Sequence, residues 1–240
     1  GATLTFDPGA DFQDLALGET VDVTLGVTAT DDSGVALSED SNQNTVTITV
    51  TGVNDAPVLA DDTMAAVEDG ASVDLDVSTL LTDADTSDTH TYAVTSAPAE
   101  GSASFAGSTL TFDPGADFQD LADGETRDVT VGATATDDSG DVATEDSNEN
   151  AIVVTVTGVN DAPVLADGAI TTAVEDGPTV DLDLSALLSD ADTSDTHTYA
   201  ITSALGAGEG SASITGATLT FDPGADFQDL ALGETVDVTL

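Results

Sequence analysis

An all-β fold of tandem β-sandwich domains is predicted by three observations: a composition rich in Thr, Val, Ala, Asp and Gly with 4% aromatics, short runs of apolar–polar alternation, and a long internal repeat. The repeat is the most informative. GATLTFDPGADFQDLALGETVDVTL opens the chain at Gly1, returns as GSTLTFDPGADFQDLADGETRDVTV from Gly107, and closes it from Gly216 in its first form, letter for letter. GVNDAPVLAD recurs around Asn54 and Asn160, and AVEDG around Glu68 and Glu175. A period of roughly 107 residues is too long for a solenoid unit and suits an autonomous domain. The chain therefore reads as the C-terminal part of one repeat (1–54), a complete repeat (55–160) and the N-terminal part of a third (161–240). With no initiator Met and both ends inside a repeat, it reads as a window on a longer array.

Within the complete repeat, Val73, Leu75 and Val77 alternate with Asp74 and Asp76, the period-two spacing of a strand with one face inward. HTYAVT (90–95), SASFA (102–106), TLTF (109–112), TRDVTVGATAT (126–136) and AIVVTVTG (151–158) continue the pattern, parted by Gly, Pro, Asp and Ser clusters. DFQDLA (117–122) suggests a helical turn. About seven strands in about 107 residues is the arithmetic of an immunoglobulin-like sandwich. Phe112 and Phe118, echoed by Phe6, Phe12, Phe221 and Phe227, read as core. Pro57 and Pro163 follow a long last strand almost without linker, so successive sandwiches are expected to stack end to end.

Charge excludes whole classes of function. There are 47 Asp+Glu against 1 Lys+Arg, a net charge of −46, and the single base is Arg127. Nucleic acid needs bases to neutralise phosphate and is excluded, and an anionic membrane surface is disfavoured by the same arithmetic. Hydrophobic residues make up 40% of the chain, enough to fold despite the charge. With 0 Cys there is no disulfide, thiolate site or thiol nucleophile. No apolar run approaches the ~20 residues of a membrane span, and no signal peptide opens the chain.

The carboxylates gather at strand ends. Asp83 and Asp85 form a DxD before the 90–95 strand, Asp137 and Asp138 end a long strand before a Ser-Gly turn, and Asn54 with Asp55 forms the junction between repeats. Two carboxylates ~5 Å apart at an effective dielectric of ~20 repel by roughly 3 kcal/mol, so a larger cluster needs a cation or raised pKa values. A hard cation with oxygen ligands answers this, and Ca²⁺ accepts ~6 to 8 oxygens from Asp, Glu, Asn and carbonyl groups. Zn²⁺ fits poorly without Cys, and Mg²⁺ prefers fewer protein ligands. An Asp-rich loop is ordinarily a solvated turn, and Asn54 with Asp55 could simply form an Asx turn; recurrence at Asp190 and Asp192 beside the second junction favours the cation. The EDSNQN (39–44) and EDSNEN (145–150) segments read as acidic hairpin tips, and His90 as a satisfied, partly buried histidine. No Ser-His-carboxylate set, EF-hand glycine or phosphate loop is present.

The succession AVEDG (66–70), DAD (83–85), LADGE (121–125), ATDDSG (135–140) and VTVTGVNDAPV (154–164) resembles the repeats of bacterial cadherin-like and VCBS-type adhesins, which recur in giant RTX cell-surface proteins. The resemblance covers the whole chain and implies cadherin-like sandwiches with Ca²⁺ at the junctions, in an array that holds a ligand-binding tip away from the cell. It implies Glu19, Asn54, Asp55, Asp83, Asp85 and one of Asp137 or Asp138 as ligands at the first junction. At the second it implies Glu68, Glu125, Asn160, Asp161, Asp190 and Asp192. The linker GVNDAP lacks an Asp and an Asn that cadherins carry, which implies one or two ions per junction. The RTX nonapeptide is absent.

The expected function is a non-enzymatic, Ca²⁺-rigidified extender of a long bacterial surface adhesin, extracellular, supporting adhesion or biofilm formation. Its expected partners are neighbouring repeats of the same chain. The alternative is a structural tract of a secreted fibre or matrix filament, with lateral contacts to other copies. A sugar- or ice-binding module is disfavoured by the few aromatics, and halophilic adaptation by the clustering of acid at strand ends.

Overall fold

A computed structural model of the chain describes residues 2–35, 40–169 and 171–239. They form two compact units, Gly1–Asp117 with Arg127–Val156, and Phe118–Thr126 with Thr157–Leu240. The chain is nearly all strand and turn, and no helix among the described residues is long and apolar enough to cross a membrane.

Unit 1 opens with a hairpin, β1 (Thr20–Val27) against β2 (Asn44–Thr51), in antiparallel register from Thr20 opposite Thr51 to Val27 opposite Asn44. The complete repeat follows with β3 (Val58–Leu59), β4 (Asp62–Val67), β5 (Val73–Asp76), β6 (Leu81–Thr82), β7 (Thr91–Ser96), β8 (Ser102–Ala106), β9 (Thr109–Asp113), β10 (Thr126–Thr136) and β11 (Asn150–Thr157). A four-stranded sheet in the order β4-β11-β10-β7 and a three-stranded sheet in the order β5-β9-β8 make the two layers, with β3 and β6 as a short separate pair. This is an immunoglobulin-like β-sandwich.

Period-two alternation places the core. Leu110 and Phe112 on β9, Val131, Ala133 and Ala135 on β10, and Ile152, Val154 and Val156 on β11 are all fully buried. Tyr92 of β7 stacks on Phe105 of β8 with centroids 6.0 Å apart. The outward positions carry the acid, and hydroxyls serve where bases are missing. Asp74 stands opposite Thr111, whose Oγ1 donates to Asp74 Oδ1 at 2.6 Å; the same pairing joins Thr49 to Asp22 and Thr155 to Asp128, each at 2.7 Å. A charged acceptor makes these stronger than neutral hydrogen bonds.

Three details depart from the sequence reading. Residues 117–122 contain a single turn at 119–120, with Leu121 N–H donating to the Phe118 carbonyl at 3.0 Å, and the regular helical turn lies instead at Val77–Leu80, a 3-10 turn capped by Asp76. Strand β4 was not foreseen, because DTMAAV has only one strongly strand-forming end; Met64 and Ala66 are nonetheless buried as β4 joins the edge of its sheet. Of the aromatic positions, Phe112 and Phe118 are fully buried, whereas Phe6, Phe12, Phe221 and Phe227 are half-buried.

Unit 2 repeats the smaller layer. It contains β12 (Val164–Leu165), β13 (Val180–Asp183), β14 (Leu188–Ser189), β15 (Ser211–Thr215) and β16 (Thr218–Asp222), with a 3-10 turn at Leu184–Leu187 capped by Asp183. Strands β13, β16 and β15 form a three-stranded sheet, and β12 pairs with β14. The outward pairing recurs, Thr220 Oγ1 donating to Asp181 Oδ1 at 2.7 Å.

Candidate metal centre

Four chain segments bring the acid of unit 1 together. β6 ends immediately before Asp83, β7 begins just after His90, β10 ends immediately before Asp137, and Asn54 and Asp55 lie between β2 and β3. The sheets thus place in one locality residues that are up to 90 positions apart in sequence. One ligand oxygen each from Asp83, Asp88 and Asp137 lies within 4.8 Å of the others.

Hydrogen bonds orient this cluster without neutralising it. Asn54 Nδ2 donates to Asp137 Oδ2 at 2.9 Å and to the Thr144 carbonyl at 3.0 Å. Asp55 N–H donates to Asp85 Oδ2 at 2.8 Å, Asp85 N–H to Asp83 Oδ1 at 3.0 Å, Thr89 N–H to Asp138 Oδ1 at 2.8 Å and Ser139 N–H to Asp137 Oδ1 at 2.9 Å. His90 Nε2 lies 2.7 Å from Asp83 Oδ2, so the histidine is engaged by a carboxylate. Glu19, from the preceding repeat, accepts at Oε1 from Ser87 Oγ at 3.0 Å and at Oε2 from Ala16 N–H at 3.2 Å.

Three oxygens are left over in the middle of this network. Asp85 is 1% exposed and Asn54 8%, yet Asp85 Oδ1 and Asn54 Oδ1 have no hydrogen-bond partner, and neither does the buried Asp88 Oδ2. A buried acceptor without a donor costs about 1–3 kcal/mol, and more when charged. Burial raises the pKa of Asp85, with the nearby charges of Asp55, Asp83 and Asp137 adding to it. Burial likewise raises Asp88, with Asp85, Asp137, Asp138 and Asp83 contributing. Burial also pushes Asp137 upward, but the hydrogen bonds from Ser139 and Asn54 prevail and its pKa is lowered. Asp138 is lowered by its bonds from Thr89. Asp137 and Asp138 are therefore held ionised by donors, while Asp85 and Asp88 lack a counter-charge. An oxygen-binding cation fits both facts, since it would accept the orphan lone pairs and remove the repulsion.

Unit 2 carries the counterpart residues. Asp161 N–H donates to Asp192 Oδ2 at 2.9 Å, Asp192 N–H to Asp190 Oδ1 at 3.2 Å, and His197 Nε2 lies 2.6 Å from Asp190 Oδ2. The His197 contact is the main reason Asp190 is lowered. Asp192 is 2% exposed, and its Oδ1 is without a partner. Glu125 accepts at Oε2 from Ala122 N–H at 3.1 Å, as Glu19 does from Ala16. Asn160 differs from Asn54: it is exposed, and its Nδ2 donates to the Asp161 carbonyl at 2.8 Å.

Of the residues expected from sequence, Asn54, Asp55, Asp83, Asp85, Asp137 and Asp138 meet in unit 1, and Glu19 reaches the same loop through Ser87. Glu68 follows β4 in unit 1 and is 1% exposed. Asp161, Asp190 and Asp192 meet in unit 2. The sequence reading missed Asp88. Its signal was the spacing Asp83, Asp85, Asp88, repeated as Asp190, Asp192, Asp195. The 39–44 tip begins at Glu39, outside the described residues; in its copy, Asp146 accepts from Thr136 at 2.6 Å and Glu149 from Thr95 at 2.9 Å.

Fold and site together define a β-sandwich repeat with an acidic centre where β6 and β10 end and β7 begins. Residues 54–150, the body of the complete repeat, match the family model described as a bacterial Ig domain. Among solved structures, Drosophila N-cadherin EC1-4 is 15% identical, with a TM-score of 0.36 over 92% of this chain and 53% of that one. Mouse protocadherin-24 EC1-3 is 15% identical, with a TM-score of 0.44 over 91% of this chain and 70% of that one. An endo-fucoidan hydrolase of glycoside hydrolase family 107 is 17% identical, with a TM-score of 0.33 over 85% of this chain and 30% of that one. The chain thus spans about half the length of the first of these structures. No curated protein matches the chain. The sheets themselves and the family match, rather than these scores, define residues 54–150 as an Ig-like repeat.

Proposed function

We propose that these repeats are Ca²⁺-rigidified extender modules of a long bacterial surface adhesin, working outside the cell to hold a binding tip at a distance. The observation that carries this is the unit 1 centre, where Asp83, Asp85, Asp88 and Asp137 converge with Asn54 and leave buried oxygens unsatisfied. No Lys exists in the chain to answer them. Glu19 from one repeat and Ser87 from the next already meet across that junction, so a cation there would fasten the two together. Asp55, Asp83, Asp85, Asp88, Asp137 and Asn54 are the groups that would hold it, and Glu19 would close the site from the preceding repeat. The groups gathered there are mostly oxygen acceptors, which suits the holding of a cation.

Near-identity between repeats supports a spacer, because length and stiffness need uniform units whereas a recognition surface would differ from copy to copy. Calorimetric titration of the metal-free chain with Ca²⁺ tests the reading at constant ionic strength. Saturable binding abolished by Asp85→Asn with Asp137→Asn is expected. Absence of binding to the native chain would end the proposal.

A further inference from the structure

The open side of the complete repeat, between the free edges of its two layers, holds an aromatic groove. β7 is the last strand of the four-stranded sheet and β8 the last of the three-stranded sheet. Tyr92 of β7 and Phe105 of β8 face each other across the gap, with ring centroids 6.0 Å apart and planes 27° from parallel. Both are half-buried, so ring surface stays open to a groove of about 530 Å³ lined by His90, Thr91, Tyr92, Phe105, Gly107 and Ser108. None of the groups proposed above to hold a cation lines it.

A carboxylate stands beside the rings. Asp76 ends β5 opposite Thr109, next to the turn at Gly107 and Ser108, and Val77 N–H donates to the Ser108 carbonyl at 3.0 Å. Ser78 N–H and Oγ donate to Asp76 Oδ1 at 3.1 and 2.7 Å. Hydrogen bonds from Ser78 and Ser108 hold this exposed carboxyl below the usual carboxylate range, so it stays ionised. Its charge reaches the Tyr92 hydroxyl, whose pKa is raised by burial first and by Asp76 second. Two ring surfaces beside a fixed anion match a flat cation. A guanidinium stacks on aromatic rings, pairs with a carboxylate through its N–H groups, and is more weakly hydrated than an ammonium.

We propose that the groove receives an arginine side chain of a partner polypeptide, its guanidinium lying against Tyr92 and Phe105 with Asp76 as counter-charge. Charge complementarity argues for such a partner. The chain carries a net charge of −46 and draws cations, yet its single base, Arg127, is engaged by Glu100 at 3.1 Å, and a second copy of the chain has no other to offer. The copies of the repeat also diverge at this place. Ile214 and Ala217 stand where the complete repeat has Phe105 and Ser108, although SAS before them and TLTF after them are unchanged. A uniform spacer gives no reason for this difference, and a recognition groove does.

The ring resonances of Tyr92 and Phe105 in nuclear magnetic resonance spectra test this. The full chain is titrated with the peptide acetyl-Gly-Gly-Arg-Gly-Gly-amide at roughly 0.15 M salt, which screens exposed charge. Saturable shifts at both rings are expected, and none with the same peptide carrying citrulline, which keeps the shape of arginine without its charge. No shift with the arginine peptide overturns the proposal. So do equal shifts with citrulline or with lysine in its place, and so do shifts that rise linearly and spread over the acidic surface, the mark of general attraction to a polyanion. Phe105→Ile, which places at this position the side chain found at Ile214, is expected to weaken binding roughly fivefold by removing one ring. Asp76→Asn is expected to weaken it by a similar factor while keeping an oxygen to cap the 3-10 turn. Unaltered circular dichroism spectra would show that these losses are local, and unchanged affinity in either variant overturns the site.

Discussion

Asp88 lies three residues beyond Asp85 and brings a buried oxygen to the same cluster, so it would offer a bound cation one more charged ligand. Because Ca²⁺ affinity follows the number of charged ligands, Asp88→Asn is expected to weaken binding roughly tenfold, or ~1.4 kcal/mol, while leaving the fold intact. Titration calorimetry with a parallel circular dichroism spectrum checks it. The pKa directions add a test by pH. Asp85 and Asp88 are raised, so their folded forms hold protons more tightly than the unfolded chain does. The stability they contribute is complete below the ordinary carboxylate value of 3.8 and is lost as pH rises through their raised values. Asp137 and Asp138 are lowered, and what they contribute is present above 3.8 and lost as pH falls through their depressed values. Metal-free protein is therefore expected to melt at a lower temperature at neutral pH than just above the carboxylate range, and Ca²⁺ to flatten that decline. A metal-free melting temperature that climbs toward neutrality would contradict the assignment of buried, uncompensated acid.

At the scale of elements, strands with strong alternation were legible and weakly patterned ones were not. β8 and β10 run over the residues that alternation indicates, 102–106 and 126–136. β4 is decided by its neighbour: Met64 and Ala66 are drawn in because β11 offers a free edge. Close approach within the larger sheet also sets a residue that pattern alone leaves open. In β10 the register against β7 passes from Gly132 opposite Ser96 to Ala133 opposite Val94, skipping Thr95. A Cβ on Gly132 would lie 2.8 Å from Ser96 Cβ and 3.2 Å from its backbone N, leaving the strand to shift. Gly132→Ala is expected to destabilise the complete repeat by about 1–3 kcal/mol, as overpacking does, read from denaturant unfolding.

For the whole molecule, a net charge of −46 opposes compaction, and hydroxyl donors such as Thr111 and Thr155 moderate it without cancelling it. A cation bound only by the folded chain adds RT ln(1 + [L]/Kd), about 4 kcal/mol at ~1,000-fold saturation. Millimolar Ca²⁺ is expected to raise the melting temperature steeply and chelator to reverse it at matched ionic strength. Identical melting curves would show that the carboxylates are only solvated surface. Glu19→Gln alone, which removes one charged group contributed by the preceding repeat, is expected to keep most of that stabilisation and to loosen the first junction, visible as broader small-angle scattering distributions.

By itself the sequence determined the repeat, the all-β class and the gathering of acid at strand ends, because each is a local property: recurrence, alternation at period two, and composition near turns. It also marked Asn54, Asp83 and Asp137 as candidates. Only the tertiary structure decided which of these converge. Asn54 meets Asp137 across 83 positions and Asp55 meets Asp85 across 30, and such encounters follow from how two sheets close rather than from any spacing along the chain. Burial belongs to the same level: Asp85, Asp88 and Asn54 become orphaned acceptors only once strands β6, β7 and β10 end side by side and exclude water from them.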